Sequence, residues 1–335
     1  MTLRERHKVT YMYFMMSVLV ILIHSLNNET VFQMFFSEKG IGQFAVPLFF
    51  VISGFLFFRT VKNISDVKIK LRKKVYTLLI PYLLWNLIYY AIHLLIKPGL
   101  GMTIESVLDA AFNYRFNPAF WFMYQLILLN ILSIVFYYAL RDYKYIFLFF
   151  LLISLFIIFN IDIPYVNEDA IIYYFSGAFI SKLYNAQKVK FINKINGIIL
   201  LIITVIVFIL NRALHSLIFE YSNIVGIFTL SIVCVRLVAS LTIFYLSDLI
   251  FSYERVYPFM ENTFFLYAIH YMIVKALIIF MKYFTYKYMV AASFVIVETI
   301  VFIMSPVICV VISYYLSNFL KRRSNKLYNL LSGYR

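Results

Sequence analysis

A chain of 335 residues that is 64% hydrophobic, 20% aromatic and 13% charged has too little polar surface to cover itself in water, since a soluble domain is about half apolar and about a quarter charged. These proportions exclude a water-soluble globular protein and leave a polytopic membrane protein. The formal charge of +15 would suit a nucleic-acid partner, but its placement along the chain argues for another reading.

Taken in order, apolar runs fall at 9–26, 41–58, 75–96, 120–140, 145–161, 170–183, 195–210, 224–246, 263–281 and 290–319. Most are long enough to cross ~30 Å of hydrocarbon at 1.5 Å per residue, so the expected fold is an all-α integral membrane bundle of about ten transmembrane helices. The sixth run is the weakest, short and carrying Ser176 and Gly177 in its middle; the eighth is interrupted by Arg236. The first run follows basic residues as a secretory leader would, but it lacks a small-residue cleavage site and further spans follow it. Cys234 and Cys309 fall inside spans, where thiols pack as small hydrophobes and say little of redox compartment.

The Lys and Arg residues sort by side. Those at 4–8, 59–74, 141–144, 182–194, 255 and 321–335 share the side of the N-terminus. Only Lys39, Lys97, Arg115, Arg212, Lys282 and Lys287 fall on the other, with Arg236 and Lys275 inside spans. The positive-inside rule places the richer side, and with it both termini, in the cytoplasm. Membrane orientation thus accounts for the basic charge, and no nucleic-acid partner is expected. The longest outer connection, 97–119, is too short to fold alone. Residues 1–335 are therefore expected to form a single polytopic domain, with its chemistry in the bundle or at its two faces.

An ionisable side chain inside a span is expensive unless it faces protein or water, and is a functional candidate for that reason. His24, about one turn below the outer surface, is the foremost. A neutral imidazole there suits a general base that takes a proton from an alcohol; the alternative is a polar helix end making one hydrogen bond. The connection from Arg59 to Lys74 holds seven basic residues against one acid, Asp66. It reads either as orientation charge or as a cradle for donor phosphates, with Arg72, Lys73 and Lys74 at the mouth of the third span. Pro81 is expected to open the first turns of that span. Lys275 and Glu298, in adjacent spans at similar depth, are expected to pair, or else Glu298 orients an imidazole or binds an acceptor. Arg236 faces inward on energetic grounds, near a phosphorylated donor arm or a helix end. His93 lies near the outer end of its span and could share a cavity with His24. His270 is expected in the inner third of its span, too deep to share a proton with His24, and so donor-side or structural. The chain has no Gly-x-Ser-x-Gly, His-Glu-x-x-His or P-loop pattern, and Ser53-Gly54 reads as a close helix contact rather than a nucleophile.

A histidine near the outer end of the first span, followed by Val-Pro-Leu-Phe-Phe-Val-Ile-Ser-Gly-Phe-Leu at 46–56, resembles the membrane-bound acyltransferase 3 family. So does a basic cluster followed by Ile80-Pro81-Tyr82 and Trp85. Phe120-Trp121-Phe122-Met123-Tyr124 is similar to that family's aromatic motif, and Asn262 through His270 is similar to its late motif ending in a span histidine. The matches run in the family's order from residue 13 to residue 270. The resemblance implies transfer of an acyl group, commonly acetyl, from cytoplasmic acyl-CoA to a hydroxyl of an extracytoplasmic glycan or similar acceptor. It implies His24 as the catalytic residue and the Arg72 cluster near the donor. Two departures stand out. Tyr13 occupies the position, eleven before the histidine, where many members carry Lys or Arg, and Ala119 replaces a histidine before the aromatic motif.

The expected protein is thus a multi-pass O-acyltransferase of the cell membrane that modifies polysaccharide, often by O-acetylation. Acyl-CoA serves as co-substrate, with no tightly bound cofactor or metal. His24 is the expected catalytic residue. Arg59, Arg72, Lys73, Lys74, Arg236 and His270 are expected on the donor side. Tyr13, His93, Trp121, Tyr124, Gln125 and Glu298 are expected around the acceptor. The competing readings are a transporter or flippase for a polar solute or lipid-linked sugar, which would use the same buried charges, and a glycan polymerase. Against transport, no internal repeat is visible.

Overall fold

The computed structural model describes residues 1–25, 31–36, 40–96, 103–218, 225–288 and 291–334. Leu26, Lys39 and Lys97 lie outside them. Hydrocarbon offers the backbone no water, so the apolar runs satisfy their amides and carbonyls internally, as helices. In chain order these are α1 (Leu3–His24), α2 (Val31–Phe36), α3 (Ala45–Phe58), α4 (Ile64–Lys74), α5 (Ile80–Ile96), α6 (Ile104–Phe112), α7 (Trp121–Ala139) and α8 (Tyr143–Ile158). They continue with α9 (Glu168–Asn185), α10 (Lys194–Ile218), α11 (Val225–Ile250), α12 (Pro258–Glu261), α13 (Thr263–Tyr288), α14 (Ala291–Arg323) and α15 (Asn325–Ser332). The described residues contain no strand, only an isolated bridge between Ile163 and Val166. Eight helical stretches are long and apolar enough to cross a membrane. The other two predicted spans are helical as well: α8 has 16 residues, and α9 opens on Glu168 and Asp169. The protein is an all-α integral membrane bundle.

The chain divides into two compact units. The first comprises residues 1–12, 43–71 and 128–255. At its centre α3 and α9 cross with their backbones nearly touching. A Cβ on Gly54 would overlap the Tyr174 carbonyl, and one on Gly177 would overlap the Val51 carbonyl. Small residues at a crossing let backbones approach where no hydrophobic drive separates helix from lipid, which is the role expected of Ser53-Gly54. In the same unit Lys8 is 0% exposed. Its ammonium lies 2.7 Å from the Asp248 carboxylate, donates to the Phe191 carbonyl at 3.1 Å and stands 3.8 Å over the Phe244 ring.

The second unit comprises residues 13–42, 72–127 and 256–335. The predicted opening at Pro81 is present: between α4 and α5, residues Val75–Leu79 form a π-helical turn. Pro81 has no N–H to give the Thr77 carbonyl four residues back. That carbonyl instead faces Gly333, which closes α15 at φ +72°, where a Cβ would clash with it. The same C-terminal helix receives the Trp85 indole N–H on the Leu331 carbonyl at 3.0 Å, and Tyr328 donates to the Asn262 side-chain oxygen at 2.5 Å. Two of the sequence motifs are thereby fastened to one short helix.

The connection after α5 holds a helix that the hydropathy pattern did not show. Thr103 caps α6 through a reciprocal box with Ser106, and α6 then runs antiparallel along α5. Ser106 Oγ lies 2.6 Å from Tyr90 Oη, Asn86 Nδ2 donates to the Ala111 carbonyl at 3.3 Å, and Tyr82 donates to the Phe112 carbonyl at 2.7 Å. The polar face of α5 (Tyr82, Asn86, Tyr89, Tyr90 and His93, spaced three to four residues apart) is what α6 and the 113–120 segment cover. Phe116 packs on Tyr90 and His93, and Phe120 packs on Tyr82 and Tyr89.

Candidate active site

His24 is the last residue of α1, half-buried. Its ring centre lies 5.3 Å from that of His270 and 5.6 Å from that of Tyr271, which meets it edge-on. The Lys275 ammonium stands 5.3 Å over the Tyr271 ring. Two imidazoles, a phenol and an ammonium therefore gather at the top of α1, all within the second unit.

This corrects the expected depth of His270. Counting from Thr263 assumed that the helix starts at the inner surface. In the structure the chain already runs beside α1 before that point, with the Phe259 ring 5.4 Å from that of Phe14. α1 and α13 then rise in parallel, so eleven residues on one match ten on the other, and position 270 arrives level with position 24. His270 is not buried far beneath His24 but packed against it.

The surroundings of His270 hold it firmly. It is 0% exposed. Its Nδ1 lies against the Tyr267 carbonyl, which can only accept, so Nδ1 carries the proton. The Tyr267 hydroxyl in turn donates to the Ala119 carbonyl, and the Tyr267 ring stacks at 19° on Phe120. Ala119, where the family often has histidine, thus contributes its backbone to the site. From α5, the Tyr89 hydroxyl donates to the Ala268 carbonyl at 3.0 Å and accepts from the Met272 amide at 3.2 Å. Those two backbone groups close one turn of an α-helix, so a side-chain hydroxyl bridges the ladder of α13 right beside His270.

Several buried polar atoms in this unit have no hydrogen-bond partner among the described residues: both amide atoms of Asn117, Oδ1 of Asn86 and Nε2 of His270. A buried group left so costs about 1–3 kcal/mol, and each calls for a reason beyond the packing, a catalytic role among them. His270 was marked out in the sequence as a donor-side or structural residue; Asn86 and Asn117 were not. The one available signal was the spacing of Tyr267, His270 and Tyr271, one turn apart on a single helix.

The other expected site residues fall as follows. Tyr13 lies on the face of α1 that bears His24, about 16 Å below it, and its carbonyl accepts from Ser17 Oγ at 2.8 Å. Arg72 and Lys73 are exposed and Lys74 half-buried in the last turn of α4, directly before the π turn. His93 packs on Phe116, with ring centres 4.8 Å apart. Trp121 opens α7 half-buried, the Tyr124 ring lies 5.5 Å from that of Tyr114, and Gln125 is buried. Glu298 is buried at 3% exposure on α14, while Lys275 is exposed. Arg59 and Arg236 belong to the first unit. The Arg59 carbonyl accepts from Asn185 Nδ2 at 2.9 Å, and its Nε is buried with no hydrogen-bond partner among the described residues. Arg236 Nε lies 3.4 Å from the Gln43 side-chain oxygen. Among the described residues no three His, Cys, Asp or Glu side chains gather as a metal site.

Fold and site together define a polytopic membrane protein with a histidine-centred polar site inside a helical unit. The chain matches the model of an acyltransferase domain over residues 10–317, nearly its whole length. It belongs to the acyltransferase 3 family and carries that family's membrane acyltransferase domain. No curated protein and no solved structure matches it.

Proposed function

We propose that this membrane acyltransferase moves an acyl group, acetyl first among candidates, from cytoplasmic acyl-CoA to a hydroxyl of an extracytoplasmic glycan or similar acceptor. The observation that carries the reading is the placing of half-buried His24 at the end of α1, against the buried His270 and the ring of Tyr271. In this mechanism His24 takes the acceptor's hydroxyl proton. The oxygen adds to the thioester carbonyl carbon, the C–S bond breaks, and the departing thiolate takes the proton from His24. Acyl-CoA is a co-substrate that leaves as CoA.

Arg72, Lys73 and Lys74 are assigned to the donor phosphates, because clustered cations in a helix's last turn suit phosphate oxygens. Tyr13, His93, Trp121, Tyr124, Gln125 and Glu298 are assigned to the acceptor, since aromatic faces and amides suit a sugar. Donor roles for Arg59 and Arg236 are separate proposals: Arg59→Gln and Arg236→Gln should each raise the KM for acetyl-CoA. The location is the cell membrane, with both termini in the cytoplasm.

Incubating membranes with radiolabelled acetyl-CoA tests the function. Label should pass to glycan in membranes holding the natural protein and not in those holding His24→Ala at equal abundance. Undiminished labelling by His24→Ala would remove the assigned role.

A further inference from the structure

We propose that His270 is a second working imidazole, a positioning residue whose Nε2 accepts the ring N–H of His24. It would orient that ring toward the acceptor hydroxyl and hold the imidazolium that forms. The inference rests on the acyl-transfer reading above and adds a partner to its base.

Four observations carry it. The Tyr267 carbonyl obliges His270 to keep its proton on Nδ1, so Nε2 presents a lone pair. That Nε2 is buried and has no hydrogen-bond partner among the described residues. A buried acceptor with nothing to accept is costly, and the ring N–H of His24, turned toward it, removes the cost. The distance fits: imidazoles sharing an N–H···N bond of about 2.9 Å have ring centres about 5 Å apart, and these stand 5.3 Å apart. A turn of the His24 ring would close the bond. Finally, His270 is immobilised by the Tyr267 ring 5.5 Å away and by the Tyr89 bridge across its own helix turn, as a positioning group must be.

The other polar groups nearby do not fill the same role. Tyr271 and Lys275 project about 100° and 140° around α13 from His270. Tyr271 instead stands edge-on to His24, with the Lys275 ammonium over its ring.

The chemistry balances without another reagent. One His24 nitrogen receives the hydroxyl proton and later gives it to the thiolate. The other nitrogen keeps its N–H, donating to His270 throughout. A neutral acceptor at that point plays the part a carboxylate often plays behind a catalytic histidine.

Two substitutions separate this role from a merely structural one. In His270→Asn the side-chain amide reaches the Nδ1 position and keeps the bond to the Tyr267 carbonyl, but nothing replaces Nε2. In His270→Gln an amide oxygen reaches the Nε2 position. Expected is a fall of about 100-fold in kcat for the Asn variant, with the KM for acetyl-CoA within about twofold, and recovery of about tenfold of that loss in the Gln variant. A raised KM for acetyl-CoA with kcat retained would make His270 a donor-binding residue and overturn the proposal. Equal losses in both variants at unchanged thermal stability would overturn it too.

Nitrogen NMR of ring-labelled histidines in detergent decides the pairing without turnover. The natural protein should show His270 protonated on Nδ1, with an Nε2 resonance that moves in His24→Gln. An Nε2 resonance indifferent to that substitution overturns the pairing. Should the natural protein transfer no label to glycan, the acyl-transfer reading fails on its own, while the resonance still reports on the two rings.

Discussion

Lys8 shows what enclosure does to a charge. By sequence it is one of several cations on the cytoplasmic flank, where orientation is reason enough for it. In the structure it is fully buried against Asp248 and the Phe244 ring. Removing one partner of such a pair strands the other charge, whereas removing both leaves no buried charge unpaired. Lys8→Ala should therefore lower stability by about 3–5 kcal/mol, read as a drop in thermal unfolding temperature in detergent. Lys8→Met combined with Asp248→Leu should recover part of that loss, the remainder being the Phe191 carbonyl and the Asn193 amide left without their partners. Asn117 makes the opposite case, with both amide atoms buried and without a hydrogen-bond partner among the described residues. Asn117→Leu should gain about 1–3 kcal/mol in the same measurement while reducing acyl transfer, since the amide is then kept for a ligand rather than for the fold. Neither residue could be ranked beforehand. The partner of Lys8 is on the eleventh helix, and the isolation of Asn117 exists only once α5 and its covering segment are packed.

Helices α3 and α9 were legible as spans, and the close approach at Gly54 was legible as a small-residue contact; its partner was not, because Gly177 lay in the weakest of the predicted spans. Gly177→Val would drive its Cβ into the Val51 carbonyl. Overpacking of this kind costs about 1–3 kcal/mol or more, and the variant should show a reduced folded fraction by size exclusion in mild detergent. At the π turn, Pro81 was readable as a helix opener, yet what covers the freed carbonyl was not. Gly333→Ala combines a left-handed backbone with a blocked Cβ. It should destabilise by about 1–3 kcal/mol, with release of α15 detectable as faster proteolysis of the C-terminus. Helix α6 escaped the hydropathy reading because nine residues are too short to make a span; it forms because Tyr82, Asn86 and Tyr90 hold its carbonyls and its cap.

At the scale of the whole molecule, orientation is an expectation of charge alone. A fluorescent reporter that matures only in the cytoplasm should glow when fused at either terminus, and a phosphatase active only outside should stay silent at both; the reverse pattern would invert the donor and acceptor sides. The membrane class, the helical fold and the order of the spans were determined by the sequence itself, which also singled out His24 as a candidate. Hydropathy, charge asymmetry and the cost of an imidazole in hydrocarbon are local quantities that neighbours along the chain suffice to set. The company His24 keeps was decided only by the tertiary structure. His270 and Tyr271 come from a helix some 250 residues away, and their depth depends on how far the chain has risen beside α1 before that helix begins. No periodicity records such a register, because it is set by the packing of one helix against another.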